Sequence, residues 1–150
     1  MHLTQYTDFG LRLLLYLGAH PDETVSVATV SQSFGISENH LAAVAKRLVL
    51  EGVLIGKRGR SGGVRLARDP SELRLGQLVM LLERSHDLVE CFDRKGSTCP
   101  IAPVCILKGV LYQARDAFFA SLDRHTLADL LRNKNQLVRV LRKASLTASA

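Results

Sequence analysis

Residues 26–67 read SVATVSQSFGISENHLAAVAKRLVLEGVLIGKRGRSGGVRLA, and the order of signals in this stretch decides the fold. Ser26 is placed to cap a short helix that carries Val27, Val30 and Phe34 and stops at Gly35. Ser37 is placed to cap a second helix, with Leu41, Val44, Ala45 and Leu48 on one face and Gly52 at its end. The joint Phe34-Gly35-Ile36-Ser37 allows a sharp reversal, so the pair reads as a helix-turn-helix. Residues 53–57 and 64–67 then read as two strands around the glycine-rich turn 58–63. A helix-turn-helix followed directly by a hairpin is the order of a winged helix.

Outward from this stretch the chain is mainly helical. A first helix starts near Thr4, Thr7 or Asp8, carries Leu11, Leu14 and Leu15, and ends at Gly18 with Pro21. Its many leucines suit a central helix packed by several neighbours. Beyond Asp69-Pro70-Ser71, a helix is expected over 76–83, a polar loop over 85–103 and a long helix over 104–122. In the long helix Leu107, Leu111, Ala114, Phe118 and Leu122 form a narrow stripe, read as a dimer seam rather than ordinary core. Thr126 caps one more helix, 135–143 form a last one, and 144–150 are expected to fray. The fold class is therefore mainly α: a winged helix-turn-helix with a two-stranded wing and a long C-terminal dimerisation helix.

The chain has 150 residues, 47% of them hydrophobic, and a net charge of +6. The positive charge is clustered. Lys57, Arg58, Arg60, Arg65 and Arg68 fall in one stretch without an acid, which suits double-stranded DNA because each phosphate contact releases condensed counterions. At the start of the second helix of the motif, Ser37, Glu38, Asn39 and His40 are the candidates to face base edges, with Lys46 and Arg47 nearer the backbone. In the wing the candidates are Arg58, Arg60, Ser61, Gly62 and Gly63, the small residues allowing close approach and the arginines reaching a groove. No C-x-x-C redox pair or H-E-x-x-H metalloprotease motif occurs, and the reading is not that of an enzyme. No apolar run is long enough to cross a bilayer and no secretion signal is visible, so the expected location is cytoplasmic, with no membrane partner.

The three cysteines have the spacing Cys91-x7-Cys99-x5-Cys105. An odd number without a secretion signal argues against a disulfide framework. Thiolates bind zinc and iron–sulfur clusters, and a flexible loop lets three converge. Spacing alone leaves zinc, iron or neither open, and His86, His125 or a distant carboxylate stand as candidates for a fourth ligand.

Several motifs together carry a resemblance. The opening His2-Leu-Thr-Gln-Tyr-Thr-Asp-Phe-Gly-Leu-Arg12, the wing Arg58-Gly-Arg-Ser-Gly-Gly-Val-Arg-Leu66, the cysteine loop followed by Leu107-Lys-Gly109, and Thr126-Leu-Ala-Asp-Leu130 resemble the NsrR-type repressors. These are nitric oxide sensors among the IscR-like winged-helix regulators, and the resemblance spans nearly the whole chain. It implies a homodimer on a partly palindromic operator, with a [4Fe–4S] cluster in each subunit and release from DNA when nitric oxide attacks the cluster. It implies ligation by Cys91, Cys99 and Cys105, with Asp8 of the opposite subunit as fourth ligand. The first cysteine spacing is longer than in some relatives. IscR-like sensors carry a histidine three residues after the last cysteine and hold a [2Fe–2S] cluster; Lys108 stands there instead. A [2Fe–2S] iron–sulfur or redox-status regulator is the alternative, and a zinc or thiol protein a third. Arg12, one turn after Asp8, either steadies the cluster's charge or forms a surface ion pair, and Glu83, before the cysteine loop, is a candidate relay. The implied organisation is a DNA-binding domain over 1–75 and an iron–sulfur loop with dimerisation helices over 76–150.

Overall fold

Local caps set most of the element boundaries in the computed structural model, which describes residues 2–59, 62–93 and 97–147. Helix α1 (Gln5–Ala19) begins where the Thr4 hydroxyl accepts a hydrogen bond from the Thr7 N–H. It does not stop at Gly18 as expected. Gly18 lies inside the helix, where an added Cβ would stand 2.5 Å from Leu131 Cδ1, so it is small to admit that leucine. The helix ends instead at His20, whose N–H bonds the Leu17 carbonyl.

Helix α2 (Val27–Phe34) is capped by Ser26 through the Thr29 N–H and ended by Gly35, whose φ of 63° lies in the left-handed region that favours glycine. Helix α3 (Glu38–Leu50) follows at once, though the Ser37 hydroxyl makes no capping bond. Strands β1 (Leu54–Lys57) and β2 (Gly63–Leu66) pair antiparallel, with Leu54 opposite Leu66 and Lys57 opposite Gly63. Val25, just before α2, exchanges two main-chain hydrogen bonds with Val64, at 3.0 and 2.8 Å. That bridge stitches the wing to the helix-turn-helix.

After a single 3-10 turn come α4 (Leu75–Leu82), α5 (Ile106–Asp123), α6 (Leu127–Leu130) and α7 (Lys134–Thr147). A reciprocal capping box of Thr126 and Asp129 opens α6. The backbone of α7 continues helically to Thr147, further than expected; residues 148–150 lie outside the described residues.

The core forms around α1. Leu13, Leu14 and Leu17 are fully buried against Leu41, Val44 and Leu48 of α3, Leu78 and Leu82 of α4, and Leu127 of α6. Each such leucine contributes about 2 kcal/mol of hydrophobic stabilisation. Residues on both sides of position 75 thus share one core. The exception is α5, which packs along α4 yet buries none of its own residues completely. Val104 and Ile106 at its start are 81% and 85% exposed, and Leu107 and Val110 follow at 62% and 53%. The stripe expected as a seam therefore turns: Leu107 faces outward, whereas Leu122 packs on the core.

Candidate DNA-reading surface and cysteine segment

Helix α3 buries one face and presents the other, as its period requires. Leu41, Val44, Ala45 and Leu48 face inward, and Ser37, Glu38, Asn39 and Lys46 are exposed. The two other candidates on this helix are exposed as well, but each has a side-chain partner. The His40 ring stacks on Phe9 of α1, with centroids 6.5 Å apart and planes 24° from parallel. Arg47 pairs with Glu51 at 3.0 Å and lines a cleft with Tyr6, Glu83 and Arg84, between α1 and α4. Tyr6, which no sequence signal singles out, donates its hydroxyl to the Ala43 carbonyl of α3 at 3.1 Å.

In the wing, Lys57, Arg58, Arg65 and Arg68 are exposed and form no salt bridge among the described residues. Arg60 and Ser61 lie outside the described residues. Gly62 donates its N–H to the Gly59 carbonyl at 2.8 Å, closing the turn. Gly63 has an internal reason to be glycine: a Cβ there would stand 2.4 Å from the Val25 carbonyl oxygen and obstruct the bridge to β2. The letters of residues 59–63 also spell G-x-S-x-G. They join strand to strand, however, whereas a nucleophile elbow joins strand to helix.

The three cysteines are free thiols and half-buried. Cys91 lies in the turn Glu90–Phe92 and Cys105 is the N-cap of α5, where main-chain N–H groups point outward without helix partners. Two contacts give the segment its shape. The Glu90 carboxylate accepts from both the N–H and the hydroxyl of Thr98, at 2.6 and 2.9 Å. These are the immediate neighbours of Cys91 and Cys99, so the bonds tie together the two stretches that carry these cysteines. The Thr98 N–H and hydroxyl hold the Glu90 carboxyl below the usual carboxylate range. On the other side of Cys91, Phe92 stacks on Tyr112 of α5 with centroids 3.9 Å apart, and Arg115 lies over both rings. Neither contact had a sequence signal, because the partners stand far apart along the chain.

Among the described residues no three His, Cys, Asp or Glu side chains stand close enough to hold a single metal ion. The donor set nevertheless fits an iron–sulfur group: three soft thiols on one segment, for ligands that such a group spreads over several metal atoms. The same loop buries the Ser97 hydroxyl without a hydrogen-bond partner among the described residues. His86 is engaged otherwise, its Nε2 at 2.9 Å from the Met80 carbonyl and its ring edge-on to Phe119.

Asp8 lies in the first turns of α1, half-exposed, and Arg12 holds both of its oxygens, at 3.1 and 2.7 Å. Of the two roles considered for Arg12, the single chain displays the ion pair. Glu83 reaches back from the end of α4 to accept from the Thr4 N–H at 2.8 Å and from the Thr4 hydroxyl at 3.1 Å. Burial works upward on the Glu83 carboxyl, but hydrogen bonds from Thr7 and Thr4 and the nearby His86 outweigh it and leave it below its usual range. Glu83 thus ties the start of the cysteine segment to the start of α1.

Comparisons with known proteins agree with this geometry. Residues 3–133 match the Rrf2 family, described as an iron-dependent transcriptional regulator. The chain is 45% identical over 143 residues to an HTH-type transcriptional regulator NsrR of Halalkalibacterium halodurans, which covers 95% of this chain and 98% of that one. It is 42% identical, with the same coverage, to the protein of that name from Bacillus subtilis. Among solved structures it is similar in fold to T. potens IscR, with a TM-score of 0.71 and 24% identity over 89% of this chain and 88% of that one. A similar likeness holds to CymR, the global cysteine regulator of B. subtilis, with a TM-score of 0.68 and 24% identity over 87% of this chain and 95% of that one.

Proposed function

The chain belongs to the Rrf2 family, as an NsrR-type DNA-binding transcriptional regulator and not an enzyme, and we propose that it is a homodimeric repressor whose hold on operator DNA is released by nitric oxide through a [4Fe–4S] cluster. The observation that carries this reading is the cysteine segment. Three free thiols lie between α4 and the N-cap of α5, and the bonds from Thr98 to Glu90 tie together the stretches that carry two of them.

Cys91, Cys99 and Cys105 would hold the cluster, and Asp8 of a second copy would complete the set. The cluster, when bound, would supply iron able to react with nitric oxide, and Asp8 would be the weakest of its four ligands, because carboxylate is the harder donor. Ligation by Asp8 would compete with Arg12 for the two carboxylate oxygens. That pair is about as exposed as it is buried, with side chains 45% and 41% accessible, so releasing it costs about 0.5 kcal/mol. Ligand exchange at Asp8 is therefore cheap. Glu83 is a candidate to relay the change, because it joins the segment that carries the cysteines to the end of α1 that carries Asp8.

The outward apolar side chains Ile106, Leu107 and Val110 of α5 support a symmetric contact between two copies. On DNA, Ser37, Glu38, Asn39 and Lys46 of α3 face the groove, and the wing cations Arg58 and Arg60 meet the backbone or a minor groove. Gly62 and Gly63 shape the wing turn, Ser61 is a further candidate for contact with DNA, and His40 and Arg47 act from the helix flank. No described helix is long and apolar enough to cross a membrane, and the reading places the protein in the cytoplasm with its DNA.

The test is anaerobic purification with an iron count, followed by titration of the loaded protein with nitric oxide while DNA binding is measured. Four irons per chain and loss of DNA binding in step with cluster reaction are expected. Unchanged DNA affinity after complete reaction sinks the sensing claim, and two irons per chain would favour a [2Fe–2S] regulator.

A further inference from the structure

Asp8 and the DNA-reading face of α3 belong to different elements, so a change at one needs a physical route to the other. Two contacts from the first turns of α1 reach α3. The Tyr6 hydroxyl donates to the Ala43 carbonyl at 3.1 Å, and the Phe9 ring stacks on His40. Tyr6 and Phe9 are three residues apart and share a helix face, with Asp8 between them in sequence. Ala43 lies in mid-helix, where its carbonyl's second lone pair accepts the Tyr6 hydroxyl without replacing a bond of the helix ladder.

The rest of the α1 and α3 interface is apolar, including Val44 against Gly10. Apolar packing resists separation but is non-directional, so it tolerates small rotation and sliding. A hydrogen bond and a stacked ring pair depend on angle and offset. They are the contacts able to set the rotation of α3, and they act on its N-terminal half, where Glu38 and Asn39 stand.

We propose that Tyr6 and Phe9 are positioning residues that couple the Asp8 end of α1 to the recognition helix, with His40 serving as their contact on α3 rather than as a reader of bases. The inference rests on the repressor reading for its purpose, but the coupling is a property of the chain itself. Any shift of α1 as Asp8 changes partner is carried through these two contacts to Glu38 and Asn39.

A double-mutant cycle tests it. Tyr6→Phe with Phe9→Leu removes the hydroxyl and the ring stack while keeping apolar volume. The first readout is the amide NMR spectrum of metal-free protein. Asp8→Ala is expected to shift the amides of residues 39–43 in the parent and to shift them far less in the double variant, with Phe9→Tyr restoring the response. The second readout is affinity for a duplex selected from random DNA by the parent protein, using anaerobically purified protein. The loss caused by Asp8→Ala is expected to be about threefold or more smaller in the double variant, as for residues that share a network. Additive losses overturn the proposal, and so does an α3 spectrum that ignores Asp8→Ala in the parent. A parent protein that binds no iron, or keeps its DNA after nitric oxide, defeats the repressor reading instead, and the metal-free spectrum still decides the coupling.

Discussion

The recognition helix and the cysteine segment are held in place by opposite means. Helix α3 is anchored by four buried side chains, Leu41, Val44, Ala45 and Leu48, at the spacing of a helix face, so it stays docked on the core whether or not a ligand is bound. In the segment from Glu83 to Cys105 the one buried side chain among the described residues is Phe92. The segment is otherwise shaped by the bonds of Glu90 with Thr98 and the stack of Phe92, Tyr112 and Arg115. The difference suits the two tasks proposed for these regions. A reader of DNA needs a rigid platform, whereas a sensor needs a region of low local stability that a ligand can order or release.

The contrast breaks most readily under truncation. Leu41→Ala is expected to lower the stability of metal-free protein by about 3 kcal/mol, because Leu41 is fully buried. Cys99→Ala is expected to leave the same urea midpoint nearly unchanged. Equal losses for the two variants would mean that the cysteine segment is part of the core after all.

A smaller effect is expected at the wing. Gly63→Ala forces a side chain against the Val25 carbonyl and should cost about 2 kcal/mol, with faster amide exchange at Val25 and Val64 and none of it reaching the cysteine segment. In the cysteine segment, Phe92→Leu removes the ring stack at a cost of about 1 kcal/mol. Its signature should be loosened amides around Cys91, while those of α3 keep their protection.

The smallest expected effect is one of pH. Hydrogen bonds from Thr98 keep the Glu90 carboxyl below its usual range, so the bonds contribute while that group is ionised. Their contribution is present above the ordinary glutamate range and is lost as pH falls through the lowered value of the folded chain. The Thr98 amide resonance should titrate at that lowered value, and the Val44 and Leu48 amides of α3 should not follow. A Thr98 signal that titrates in the ordinary range would show that the clamp does not form in solution.

The winged helix was legible from the sequence because its signals are local. Ser26 caps α2 through a residue three positions away, Gly35 and Gly52 supply left-handed joints after α2 and α3, and the leucines of α3 repeat at helical spacing. Gly18 was misread for the same reason: a glycine after a leucine run resembles a helix end, and its real partner, Leu131, is distant in the chain. The site was legible as residue types. Three cysteines, an early aspartate and a basic wing could all be named, but not what each would touch. The position of His40 and Arg47 on α3 marks them as exposed, but does not reveal Phe9 and Glu51 as their partners.

By itself, then, the sequence determined the elements and their order, since capping, turn chemistry and periodicity act within about four residues along the chain. Tertiary structure alone decided which faces stay outward and which distant residues meet: Val25 with Val64, Glu83 with Thr4, Tyr6 with Ala43, Glu90 with Thr98 and Phe92 with Tyr112. Those meetings depend on how the helices pack around α1, and no local pattern encodes a partner whose distance is set by the whole core.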